Sequence, residues 1–234
     1  MQVPRAILTI LDSNNILCNR LAHYKDGIMA QPDSDISQQD LPMSLNMGGD
    51  GDLVLTDLAP DIQELAKKPG RIMCGDIHMR IDANATWFYN GSPIGRKEMV
   101  KLFSTVLHLD ELGQYWMITP AEMARIKVDD APFTALELIT EGSGDNMTIS
   151  FRTNVDTIIA LDEDHPLRIT HDDKTSEPRP YITVRDGLDA LIVRSAFYQL
   201  IEEGVEMDID GEQILGVWSH GCFFRIGPTG PVGT

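Results

Sequence analysis

An α+β fold of two small domains is predicted by three observations. Segments with period-two hydrophobic alternation outnumber helical ones, each half holds one long amphipathic helix, and in each half that helix precedes strands bearing a tryptophan. The strands are mostly joined by short polar turns, which favours antiparallel pairing over alternating α/β units. The expected division is a poorly ordered extension over residues 1–50, a first α+β domain over 51–125, and a second, mostly antiparallel domain over 126–234.

The extension shows little periodicity and contains QPDSDISQQDLP and GGDGD; Met29, Met43 and Met47 are alternative starts, and an arm covering a sheet edge is the other reading. DGDLVLTDLAPD lacks the sixth-position Gly and twelfth-position Glu of a calcium loop. TDLAPDIQELAKKPG (56–70) reads as a short helix with Leu58, Ile62, Leu65 and Ala66 on one face and Pro-Gly as its stop. IHMRID and TWFYNG form a hairpin with ANA at its tip, leading to a helix over about 95–107. QYWMIT is a strand, and TPAE (119–122) has the pattern of a capping box opening a short helix.

Beyond Ile126 come the strands TALELIT, NMTISFRT, DTIIALD, PLRIT and PYITV, then a helix expected from about Gly187 to Glu203. VEMDI and EQILGVW are joined by Asp210-Gly211 into a hairpin, and CFFRIG is the final strand. RKEMVKLF (96–103) and RSAFYQLI (194–201) share an initial Arg and the same apolar spacing, pointing to two related halves.

Charge narrows the function. The 19 Lys+Arg against 36 Asp+Glu give a net charge of -17, a field that repels nucleic-acid polymers and anionic membranes while leaving room for a small anion where arginines converge. Cys18, Cys74 and Cys222 have no CxxC spacing, so neither a disulfide framework nor a zinc site is expected. No apolar run is long enough to span a membrane, and the expected location is the cytoplasm.

The motif search excludes more chemistry than it assigns. GSPIGRK has three residues between its glycines where a P-loop has four, and no Ser/Thr follows its Lys. GVWSHG places its first glycine three residues before Ser219 instead of two, so it does not fit a nucleophile elbow. DEDH (162–165) and HDD (171–173) read as turns rather than metal ligands. No catalytic residue, metal or cofactor is assigned. Arg96 falls on the apolar stripe of its helix by spacing, and a buried cation needs a partner, either an internal carboxylate or a ligand anion. Arg194 is treated alike, because GLDALIVRSAFYQLI is apolar almost all round. The leading expectation is an anionic, nucleotide-like small molecule bound by Arg96, Arg194 and nearby aromatics. A hydrolase acting on a phosphorylated small molecule and a ligand-free interaction domain are the alternatives.

The blocks IHMRIDANATWFYNGSPIGRKEMVKLF, YWMITPAEMARIKVDDAPF, TNVDTIIALDEDHPLRI and PYITVRDGLDALIVRSAFYQL, with GVWSHGCFF, resemble the bacterial family called domain of unknown function 1285. That resemblance covers approximately residues 70–227. It implies two domains with a duplicated motif, the second loosely pleckstrin-homology-like, with a ligand between the domains and a signalling role. By position it carries over Arg80, Trp87, Gly91, Pro93 and Arg96, then Thr119, Pro120 and Glu122, then Arg185, Arg194, Tyr198, Trp218 and Ser219. Among these, Arg80, Trp87, Arg96, Arg185, Arg194, Tyr198, Trp218 and Ser219 are the candidate ligand-binding residues. Asn84-Ala85 stands where the family commonly has Asp-Gly.

Overall fold

A computed structural model describes residues 16–18 and 57–229. Apart from β1 (Ile16–Cys18), the expected N-terminal extension lies outside the described residues. The chain divides into two compact units. The first contains the described chain up to Phe133 together with Asp186–Leu188, and the second contains the remainder from Thr134 onward plus β1.

In the first unit α1 (Pro60–Ala66) begins with Pro at its first turn, where no intrahelical N–H is needed. Leu58, Ala59 and Ile62 are buried against Trp116 and Met123. In β2 (Ile72–Ile81) burial alternates, with Ile77, Met79 and Ile81 inward and Asp76, His78 and Arg80 outward. The strand turns back into β3 (Trp87–Tyr89), with Ile81 opposite Trp87. Asp82 closes that turn, its Oδ1 accepting the N–H groups of Asn84 and Thr86 at 2.9 Å each. Ala85 sits in the turn at φ 56, the left-handed region that favours glycine.

β4 (Ser92–Pro93) follows through Asn90 and Gly91, both at positive φ, a two-residue turn whose twist matches the strands. The glycine of the apparent phosphate loop thus makes a hairpin. After α2 (Lys97–Thr105) come β5 (Leu107–Leu109), β6 (Tyr115–Ile118) and β7 (Glu122–Val128). The sheet order is β4-β3-β2-β7-β6-β5, with β2 and β7 parallel.

The expected helix at TPAE is absent. Thr119 Oγ1 accepts the Glu122 N–H at 2.9 Å and donates to the Glu122 carbonyl at 3.0 Å, so the capping residues instead tighten the turn between β6 and β7. The expected domain boundary after residue 125 falls within β7, whereas the two compact units divide at Phe133/Thr134.

The second unit holds two antiparallel sheets. β8 (Phe133–Glu141), β9 (Thr148–Thr153), β10 (Ile158–Ala160), β11 (Leu167–His171), β12 (Pro178–Arg185) and β13 (Leu188–Ile192) form a six-stranded sheet in the order β10-β9-β8-β13-β12-β11. α3 (Arg194–Glu202) leads into β14 (Val205–Ile209), β15 (Glu212–Ser219) and β16 (Cys222–Pro228), in the order β1-β16-β15-β14.

The helix expected from Gly187 starts seven residues later, at Arg194. Leu188, Ala190 and Ile192 are buried while Asp189 and Leu191 are half-buried, so LDALI alternates as a strand. His220 and Gly221, at φ 50 and 73, make the turn joining Ser219 to Cys222. Cys18 stands opposite Cys222 in the strand register, and Cys222 is disulfide-bonded, a departure from the expected unpaired thiols. The observed class is α+β, dominated by sheets with three helices among the described residues.

Candidate functional site

Strand alternation separates the candidates of the first unit. Arg80 points outward and Trp87 inward, because their cross-strand partners are Phe88 and Ile81. Trp87 is 1% exposed and lies against Phe103, with ring centroids 6.0 Å apart. Its Nε1 has no hydrogen-bond partner among the described residues. Arg80 Nε donates to Asp129 Oδ1 at 3.0 Å while Nη2 donates to Oδ2. This two-point pairing holds the Asp129 carboxyl below its ordinary pKa, with Lys127 adding to the effect.

Arg96 corrects the expectation of a cation buried in an apolar stripe. The helix proper starts at Lys97, so Arg96 is the extended N-cap residue, at φ -88 and ψ 103. Its side chain is exposed and has no ion-pair partner among the described residues. An exposed guanidinium is solvated by water, so the need for a buried partner disappears.

In the second unit Ser219 and Trp218 are neighbours on β15 and face opposite ways. Ser219 is fully buried, and its Oγ accepts the Ile149 N–H at 3.0 Å. The hydroxyl therefore ties β15 to β9 across the two sheets. Trp218 is half-buried and tilts against Phe223 at 5.5 Å. Arg185 is half-buried at the end of β12. Trp87 and Ser219 are core residues and do not present themselves to a ligand.

Arg194 and Tyr198 do present themselves. They lie one turn apart on α3, on the same exposed face, with the guanidinium 6.0 Å from the ring centroid. The Arg194 side chain is 71% exposed and Tyr198 is 54% exposed. A single contact from Nη2 to Glu177 Oε1 at 3.3 Å engages the guanidinium. Like Arg96, Arg194 is not buried, because the apolar run before it is a strand.

Two arginines that the sequence reading passed over sharpen the picture. Arg125 on β7 spends its whole fork, with Nε and Nη2 on Asp76 at 2.5 and 2.8 Å and Nη1 on Gln114 at 2.9 Å. The hydrogen bonds from Arg125 hold Asp76 below its ordinary pKa against some desolvation. Arg168 on β11 has one bond, from Nη2 to Asp189 Oδ2 at 2.6 Å, and stacks over Tyr181 at 4.5 Å. These partners are 49 and 21 residues apart in sequence, so only the strand order reveals them.

The acidic turns close on themselves. Asp162 Oδ1 accepts the N–H groups of Asp164 and His165, and Asp172 Oδ1 accepts those of Lys174 and Thr175. Among the described residues no group of three or more metal-ligating side chains is assembled, and no helix is long and apolar enough to cross a membrane.

The chain matches the family models "Domain of unknown function (DUF1285), N-terminal domain" over residues 68–131 and "Protein of unknown function (DUF1285), C-terminal domain" over residues 132–226. A 2.50 Å crystal structure of a DUF1285 family protein from Silicibacter pomeroyi DSS-3 is similar, with a TM-score of 0.63 and 36% identity. That likeness covers 74% of this chain and 97% of the other. A 1.40 Å structure of a family protein from Shewanella baltica OS155 has a TM-score of 0.44 and 22% identity, covering 54% and 91%. A comparison with curated proteins gives no match. The two family models together span more than half of the sequence in the expected order, and the chain belongs to the DUF1285 family.

Proposed function

We propose that this protein binds an anionic small molecule of nucleotide-like chemistry and serves a signalling role, with Arg194 and Tyr198 as the central contacts. The observation that carries this reading is the pairing of a singly held, exposed guanidinium with an exposed ring on one helix face. A phosphate takes up the donors that Glu177 leaves open, and a base stacks on the phenol ring. Exchange of the exposed Glu177 contact for a ligand contact costs little, since exposed ion pairs contribute about 0–1 kcal/mol. Arg96 is a second exposed guanidinium, held at the start of α2 in the other unit.

We also read the two units as related by duplication. In each, a nine-residue helix is followed by an antiparallel meander whose second strand carries a tryptophan, Trp116 or Trp218. An arginine stands at the start of both helices, Arg96 as cap and Arg194 as first residue. Two antiparallel sheets with one helix support a pleckstrin-homology-like reading of the second unit.

Thermal unfolding with AMP, ATP and inorganic pyrophosphate tests the proposal. A ligand at 100 times its Kd stabilises the native state by about 2.7 kcal/mol. The wild type should show that shift with a nucleotide, and Arg194→Ala and Tyr198→Ala should lose most of it. An equal shift in both variants, or none in the wild type, rejects the site.

A further inference from the structure

The second unit contains another place where arginines and apolar side chains meet. A cavity of about 340 Å³ lies where β11, the edge strand of the six-stranded sheet, approaches β16 of the other sheet. Neither Arg194 nor Tyr198 lines it. Among the described residues its apolar lining includes Ile169, Ile226 and Pro228, which keep accessible surface, together with the buried Leu167, Ile214 and Phe224. Its charged lining is Arg168, Arg225 and Glu212.

Arg168 is arranged as a donor. Tyr181 beneath the Arg168 guanidinium and Asp189 at its Nη2 fix the plane of the group. That leaves Nε and Nη1 uncommitted among the described residues, out of the five N–H donors an arginine carries. Arg225 stands 3.8 Å from Glu212.

We propose that this cavity binds a small amphiphilic monocarboxylate, with its head on Arg168 and its hydrocarbon body on Ile169, Ile226 and Pro228. The charges favour a monoanion over a dianion, since Asp189 on Arg168 and Glu212 beside Arg225 already balance the two guanidiniums, and the ligand's head is met by the donors that Arg168 keeps open. A phosphate dianion would bring a second negative charge toward Glu212 and gain nothing from the apolar wall. The volume sits at the lower end of ligand pockets, roughly 300–1,000 Å³, which suits a short chain. This inference is independent of the nucleotide site, because the two share no residue.

Isothermal titration of the full chain with sodium octanoate tests it, with octanol, acetate and inorganic phosphate as parallel ligands. Octanoate should bind saturably, Arg168→Gln should weaken it at least tenfold, and Arg194→Ala should leave it unchanged. Octanol lacks the charge and acetate lacks the tail, so each should bind at least tenfold more weakly than octanoate. Arg225→Gln is the second variant if Arg168→Gln does not fold, with the same direction expected. The absence of saturable octanoate binding overturns the proposal. So does equal binding by the arginine variant, or phosphate binding as tight as octanoate.

Discussion

In the first unit Arg80 and Arg125 each meet an aspartate through two nitrogens, and Arg125 spends its third on Gln114. In the second, Arg168 and Arg194 are each held through one nitrogen and each lies near a tyrosine ring. Among these four, the first unit's pair are clamps and the second unit's pair under-committed donors, while Arg96 of the first unit has no ion pair among the described residues and Arg152 of the second holds Glu137 on the neighbouring strand. What separates the roles is the number of donors left over, since planar two-point pairing uses the fork that would recognise a carboxylate or phosphate. Exposure alone would not have drawn the distinction: Arg80 and Arg168 have side chains 47% and 53% exposed.

Trp116 and Trp218 give the largest test of the proposed duplication. Trp116 is fully buried and donates to Asp110 at 2.8 Å, whereas Trp218 is half-buried. Trp116→Ala should cost about 3–5 kcal/mol, as large aromatic truncations in cores do. Trp218→Ala should cost roughly 1–3 kcal/mol in urea unfolding. Equal losses would erase that difference between the halves.

Next in size is the clamp itself. Arg125→Ala should destabilise by about 1–2 kcal/mol, reduced from the value of a buried pair because Asp76 is half-exposed and screened. Arg194→Ala should stay within about 0.5 kcal/mol without ligand. A structural loss at Arg194 as large as that at Arg125 would contradict the division of roles.

Acid should weaken the clamps selectively. Asp76 and Asp129 have folded pKa values lowered by Arg125 and Arg80, so their contribution is present above the unfolded value of about 3.9 and is lost as pH falls through the folded values. Stability measured from pH 6 downward should therefore drop below about pH 4, and Asp76→Asn should flatten that slope. An unchanged slope in the variant would remove the Arg125 clamp from the account.

The smallest effect belongs to Ala85. Relief of its left-handed strain in Ala85→Gly gains about 1–2 kcal/mol, but glycine's entropy costs about 0.5–1 and the buried methyl about 0.8. The net change should lie within about 0.8 kcal/mol of zero. A larger gain in chemical denaturation would show that strain dominates packing at this tip.

The strands were legible because period-two burial is written directly in segments such as IHMRI, where Ile77, Met79 and Ile81 are buried. The Asp210-Gly211 hairpin was equally local, with both residues at positive φ. Two errors had a local cause. TPAE satisfies a capping box on paper, but its bonds serve equally to close a turn once β7 pairs with β2. LDALI reads in sequence as part of the helix after it, because a short apolar run fits a strand and a helix equally well.

The site was less legible. Arg194 and Tyr198 are four apart on one helix, so their proximity follows from spacing. Their exposure does not, because the apolar strand before them extends the helical pattern in sequence and hides where the helix begins. Arg168, Arg225 and the cavity between them depend on which strands become neighbours across two sheets, and no local pattern carries that information.

The arginine side-chain Nε–H spectrum of ¹⁵N-labelled protein, titrated with AMP, separates the open guanidinium from the clamped ones. The Arg194 signal should move saturably while those of Arg80 and Arg125, already committed to aspartates, stay fixed. Movement of the Arg80 or Arg125 signals with Arg194 unaffected would contradict that division of roles.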